Sequence, residues 1–230
     1  MKIFLTLLLF MLILISCKKD VGSNGDCTNN CLTFNGRLIE KQSGNGLEGV
    51  PIKLFYDYPS ALFGNKANDY LGTTTTLSDG TYSFSLARSS TYNTGGKIIL
   101  TGEKEGYIDG AADWLTAWNV SSTTDSVFTR ELELWKSAPL NIRVRTVTTS
   151  NFDQFYFNHF FGNVSFIDPE PIRKNRQPFD ITFRLLTAAD IPTRINWTTS
   201  NLNGSGSVIL SGSDTIVVAS GTTGNLLIEL

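Results

Sequence analysis

Side chains able to do covalent or acid–base chemistry are sparse in this sequence and poorly grouped. The only histidine, His159, sits inside Phe155-Tyr156-Phe157-Asn158-His159-Phe160-Phe161, and no Gly-x-Ser-x-Gly elbow presents a serine nucleophile. Any Ser/His/Asp or Cys/His arrangement would rest on that one imidazole, whose aromatic surroundings suit packing better than catalysis. Carboxylates come in pairs at Asp109/Asp113 and Asp168/Glu170, the residue type that glycosidases use. No Asp-x-Asp-x-Asp-Gly spacing accompanies them to hold calcium, and they read as solvated loop acids. The expectation is a chain with no catalytic residues, no metal and no cofactor. The remaining reactive groups are Cys17, Cys27 and Cys31. With one histidine in the chain a zinc site at Cys27 and Cys31 is disfavoured, which leaves a disulfide across Cys27-Thr28-Asn29-Asn30-Cys31 or two free thiols.

The first of these cysteines closes an apolar leader. Lys2 precedes a run from Ile3 to Ile15 interrupted only by Thr6, too short to cross a bilayer comfortably and suited to the core of a secretory signal. Its end, Leu14-Ile15-Ser16-Cys17, resembles a bacterial lipobox. That resemblance implies cleavage before Cys17, a diacylglyceryl thioether on its sulfur and an acylated amine. Residues 1–16 are then a lipoprotein signal peptide and residues 17–31 a lipid-anchored spacer, rich in Lys, Asp, Gly, Ser and Asn. Lys18 stands where some bacteria place an aspartate for inner-membrane retention, so the expected location is the outer membrane, facing the periplasm or the cell surface. The expected contact with the membrane is through this anchor.

Beyond the spacer the hydrophobic period is two, the period of strands with one face on a core. Val50, Ile52 and Leu54 alternate with Pro51, Lys53 and Phe55; Tyr82, Phe84 and Leu86 alternate with Ser83 and Ser85. Ser78-Asp79-Gly80-Thr81 supplies a tight turn before the second run, so the unit reads as strand, turn, strand. Leu32, Phe34, Gly36 and Leu38 share a face ahead of it; Ile98 and Leu100, then Phe128, Leu132 and Leu134, follow. Tyr58 to Asn68 reads as a long loop. Gly46-Leu-Glu-Gly-Val-Pro-Ile-Lys-Leu, Thr76-Leu-Ser-Asp-Gly-Thr-Tyr-Ser-Phe and Lys104-Glu-Gly-Tyr107 together resemble the carboxypeptidase regulatory-like (transthyretin-like) β-sandwich domain. The resemblance covers about Leu32 to Trp135 and implies a prealbumin-like sandwich, without the histidine-rich zinc site of the peptidases that such domains accompany.

Ser137-Ala138-Pro139 reads as a domain boundary, because proline cannot continue a central strand. A fresh alternation of Leu140, Ile142 and Val144 starts there, and further short runs continue to Ile228/Leu230. The fold class is therefore all-β, with two tandem β-sandwich (Ig-like or prealbumin-like) domains at residues 32–137 and 138–230.

Two aromatic groups stand out as contact candidates. Consecutive strand residues face opposite ways, so Phe155, Tyr156 and Phe157 cannot all enter one core; some must meet the first domain, a partner or a ligand. Trp114 and Trp118, four apart, can share one side of a turn or strand and either stack on a sugar or partner or close the open end of the first sandwich. Ser126 and Thr215 lie in Asp125-Ser126-Val127 and Asp214-Thr215-Ile216, which resemble an O-glycosylation sequon of some Gram-negative bacteria. The formal charge is −2 and the one basic run, Arg173-Lys174-Asn175-Arg176, reads as a loop tip, so no nucleic-acid partner is expected. These features point to a non-catalytic, outer-membrane-anchored binding or scaffold module for a glycan or protein at the cell envelope. The alternatives are a surface-fibre subunit joined by strand donation and a polymer-degrading enzyme. If Cys17 carries the lipid, Cys17→Ala abolishes acylation and leader cleavage together, read as a precursor of full mass that no longer incorporates labelled palmitate.

Overall fold

The computed structural model describes residues 27, 30–59, 68–89, 95–109, 117–118, 126–146, 151–167, 172–173, 177–201 and 208–230. Cys17, Trp114, Asp113, Asp168 and Glu170 lie outside them. The described chain is all-β, with fifteen strands in three sheets.

The first half forms two facing sheets. One contains β1 (Cys31–Glu40), β4 (Thr81–Ala87), β6 (Tyr107–Asp109) and the first part of β8 (Val127–Thr146). The other runs β3 (Asp69–Thr75), β2 (Pro51–Asp57), β5 (Lys97–Gly102), β7 (Ala117–Trp118). Their inner faces meet in one cluster that includes Leu32, Phe34, Leu38, Ile52, Leu54, Tyr82, Phe84, Ile98, Leu100, Phe128 and Leu132. Burying each such side chain contributes roughly 1.5–3 kcal/mol before entropy is charged against it. Cys27 and Cys31 form a disulfide at the start of β1, with Cα atoms 5.7 Å apart.

The strand, turn, strand unit of the sequence is not a hairpin. β2 pairs with β3 and β5, and β4 pairs with β1 in the facing sheet, so the turn at Leu77–Gly80 carries the chain from one sheet to the other. β3 carries no strand signal of its own, since Asp69-Tyr-Leu-Gly-Thr-Thr-Thr75 has no apolar alternation; it is a strand because its backbone pairs with β2 through a bulge at Leu54/Phe55.

The motif residues lock that crossing. Gly80 takes φ 83°, and its carbonyl accepts from Leu38 N–H at 2.8 Å. Asp79 Oδ1 accepts from Thr81 N–H at 2.9 Å and from Thr81 Oγ1 at 2.6 Å. Buried Thr76 donates from Oγ1 to the Leu47 carbonyl at 2.5 Å and accepts from Val50 N–H at 2.9 Å. Tyr82 then reaches across Gly36 to donate to the Arg130 carbonyl at 3.0 Å. A Cβ at Gly36 would lie 1.7 Å from that carbonyl oxygen and 2.5 Å from the Tyr82 hydroxyl oxygen. Burial pushes the Tyr82 hydroxyl pKa well above its ordinary value.

The second half is again two facing sheets. The later part of β8 lies between β12 (Phe179–Ala188) and β15 (Gly224–Glu229). Opposite it runs a sheet ordered β10 (Val164–Ile167), β9 (Gln154–Phe161), β13 (Pro192–Ser200), β14 (Val208–Val217), with β11 (Ile172–Arg173) beside β9. Their core gathers Leu140, Ile142, Val144, Phe152, Phe155, Phe157, Ile195 and Ile228.

The expected break at Ser137–Pro139 is absent, since β8 is one strand of 20 residues that passes through both sandwiches. On one side it pairs with β1 as far as Leu134 and with β12 from Ser137. The gap between them is filled by Gln42, which acts like a peptide group: Oε1 accepts from Lys136 N–H at 3.0 Å and Nε2 donates to the Lys136 carbonyl at 3.0 Å. On the other side Ser137 N–H donates to the Gly106 carbonyl at 2.8 Å, just before β6, and β15 starts only opposite Leu140. Backbone groups alternate sides along a strand, so Pro139 directs its nitrogen towards this second gap, where no ladder bond is lost. Trp135 packs at the junction against Phe161, ring centroids 5.7 Å apart, with Ala188 beside them.

Gly36→Ala is expected to cost about 3 kcal/mol or more, because the added methyl meets backbone that cannot move without parting β1 from β8. Urea unfolding of the variant against the parent checks this.

Candidate functional site

The structure sorts the aromatic candidates by strand face. Phe155 and Phe157 point into the second core, and Tyr156 points out of the sheet at 39% exposure. Phe161, rather than any of these three, meets Trp135 at the junction. Trp118 pairs opposite Ile98 and packs on Phe34 and Phe128, with ring centroids 5.4 and 6.2 Å away. The Arg130 guanidinium lies 4.8 Å above its ring. Trp118 thus closes the first sandwich as a half-buried core residue.

His159 is buried between the sheets of the second half, 6.4 Å from the Phe161 ring centroid. Burial lowers its pKa below the usual 6.5, opposed by a hydrogen bond to the Leu186 backbone. Its ring lines one side of an open cleft that Asp109, Pro139, Arg184 and Leu186 also border. Asp109 is exposed at the end of β6. Among the described residues there is no group of three or more His, Cys, Asp or Glu placed to share a metal ion. Ser126 is exposed just before β8, and Thr215 is exposed on β14.

The outward surfaces of the two sheets in the second half differ in character. On the β12–β8–β15 sheet, charges are zipped across strands: Arg143 Nε donates to Asp180 Oδ1 at 2.7 Å and Arg145 pairs with Glu229 at 3.0 Å. The Arg143 contact raises its own pKa and lowers that of Asp180, while solvent keeps such pairs worth little.

The outward face of β9, β13 and β14 instead carries hydroxyls, amides and rings in three cross-strand rows. Tyr156, Thr198 and Ser211 form one row; Asn158, Asn196 and Ser213 the next; Phe160, Arg194 and Thr215 the third. Arg194 is the one formal charge in these rows, and its Nε donates to Ser213 Oγ at 2.9 Å. Asn196 Oδ1 is buried without a hydrogen-bond partner among the described residues. Tyr156 donates to Gln154 Oε1. The sequence points to the aromatic positions of these rows and not to their amides: Asn158 and Asn196 are unremarkable until the register sets them side by side. The alternation of β9 alone could have identified Phe160 as a companion of Tyr156.

No protein family model matches the chain, and no curated protein matches it. Solved structures similar to it include the Bacillus anthracis TIE protein, with 11% identity over 87% of this chain and 33% of that chain, TM-score 0.34. A Streptococcal ancillary pilin shows 13% identity over 88% and 63%, TM-score 0.34, and the shaft pilin SpaA of Lactobacillus rhamnosus GG shows 10% over 87% and 97%, TM-score 0.30. The chain spans a third of the first of these and under two thirds of the second. Likeness at this level says nothing about activity or partners.

His159 makes stability pH-dependent in a predictable direction. Its folded pKa lies below the unfolded 6.5, so its contribution is complete above that value and is lost as pH falls below it towards the folded pKa. The urea midpoint is expected to hold steady from pH 8 to 7 and to decline below about 6.5, and His159→Gln should flatten that decline.

Proposed function

We propose that this chain is a non-catalytic lipoprotein, anchored in the outer membrane through Cys17, that serves as a binding or scaffold module at the cell envelope. The observation that carries the reading is the setting of its one histidine: His159 is largely buried beside Phe161 and hydrogen-bonded to the Leu186 backbone, and the cleft it borders brings it no serine or cysteine nucleophile among the described residues. The lipobox-like Leu14-Ile15-Ser16-Cys17 and the polar spacer after it support the anchor. Lipid on that cysteine would tether the sandwiches without a membrane span, each buried methylene adding about 0.8 kcal/mol. The resemblance of residues 32–135 to regulatory-like domains accords with a role in positioning or recognition.

A second reading, a fibre subunit joined by strand donation, is favoured by β14. Among the described residues it is the last strand in its sheet, ten residues long, with Val208 and Val217 exposed at 60% and 57%. Such an edge can accept an added strand.

Expression in a Gram-negative host, followed by membrane flotation, gel analysis and incubation with polysaccharides, tests these readings. The expected result is a monomer floating with the outer membrane that releases no sugar ends. Heat-resistant ladders would favour the fibre. Turnover lost on replacing a single acidic residue would overturn the non-catalytic reading.

A further inference from the structure

We infer that the outward face of β9, β13 and β14 is a binding platform for an uncharged polysaccharide, an inference that rests on the reading of this chain as a binding module. Three observations converge on that ligand class. The first is ring placement. Tyr156 and Phe160 project from the same face of β9, separated by four residues of strand, about 13 Å. That span exceeds one sugar ring, and aromatic faces stack on the C–H surfaces of pyranoses.

The second is hydrogen-bonding capacity between the rings. Asn158 and Asn196 stand opposite each other in the central row, with Thr198 beside them. Each amide offers two donors and an acceptor, which matches the mixed donor and acceptor pattern of sugar hydroxyls. Asn196 Oδ1 is withdrawn from solvent and unpartnered among the described residues, so rotation of this amide outward to meet a sugar hydroxyl would relieve a group that now carries a desolvation cost.

The third is charge. The three rows hold one formal charge, Arg194, and its Nε is engaged by Ser213. The sheet on the other side of the same core displays Arg143, Arg145, Asp180 and Glu229 paired across strands, with Arg184 exposed beside them. One surface is therefore built as a charged, mostly paired solvent face, and the other as one with a single charge whose remaining groups suit a partner without charge. An anionic polymer would find one cation, Arg194, to pair with in these rows.

The test uses the full chain in detergent, run by affinity electrophoresis through gels containing xyloglucan, galactomannan or mixed-linkage β-glucan, with alginate and polygalacturonate as anionic comparisons. At least one neutral polymer is expected to retard the protein. Tyr156→Ala is expected to weaken that binding tenfold or more. Ser211→Glu, which puts a carboxylate at an exposed position of the Tyr156 row, should do the same with an unchanged melting temperature, so a folding defect in the first variant does not decide the outcome. No retardation by any neutral polymer, binding confined to the anionic ones, or equal binding by both variants would overturn the inference. A protein that ignores every glycan but still floats with the membrane and cross-links to an envelope protein would leave the binding-module reading standing and remove the glycan alone.

Discussion

Twenty consecutive residues in one strand present their N–H and C=O groups to two sides in turn, and each buried group needs a partner. The organisation of this molecule follows from how β8 meets that demand. No single neighbour is long enough, so the partners change midway: β1 gives way to β12 on one side, and β6 to β15 on the other. A change of partner leaves a gap in the ladder, and the two gaps are resolved by different chemistry. At one, the Gln42 side chain supplies an amide where backbone is missing. At the other, Pro139 has no N–H to satisfy. The two sandwiches are thus joined through hydrogen bonding that continues along β8, with Trp135 and Phe161 packed beside the changeover.

The sequence shows which residues face inward more clearly than which strands touch. Val50, Ile52 and Leu54, Ile98 and Leu100, and Leu140, Ile142 and Val144 are buried as their period of two implies. The partner of a strand is not written in its own alternation, which is why β2 and β4 look like a hairpin and belong to facing sheets. β3 is hidden for a related reason, since a threonine-rich strand at a sheet edge needs backbone partners and little apolar content. Pro139 misleads because the rule against proline in a central strand assumes an unbroken ladder on both sides. Among the candidate contact residues, alternation separates Tyr156 from Phe155 and Phe157, and the rows through Asn158 and Asn196 require the register of three strands.

The same cross-strand register gives the second sandwich unlike exteriors. Four charged side chains on β8, β12 and β15 are paired with one another, whereas β13 and β14 carry mostly short polar ones beside an exposed Tyr156 and a half-buried Phe160 on β9. The interior beneath both is continuous, with Phe155 and Phe157 from one sheet meeting Leu140 and Ile142 from the other. Recognition chemistry can therefore vary on one exterior without disturbing the packing that holds the sheets together.

The shared strand also bears on the order in which structure can form. β1 lies near the start of the described chain, and its parallel neighbour β8 is far downstream. β8 in turn waits for β15, which lies beyond β9 to β14. A chain made from its N-terminus onward cannot complete the first sheet until the beginning of β8 exists, nor the second until β15 does. Closing such long loops carries an entropic cost before any contact offsets it, so folding dominated by these pairings is slow compared with folding through local hairpins. Until Val127 and the residues after it are made, β1 has β4 on one edge and nothing of β8 on the other, so the first sheet stays open along that edge while about half of the chain is synthesised.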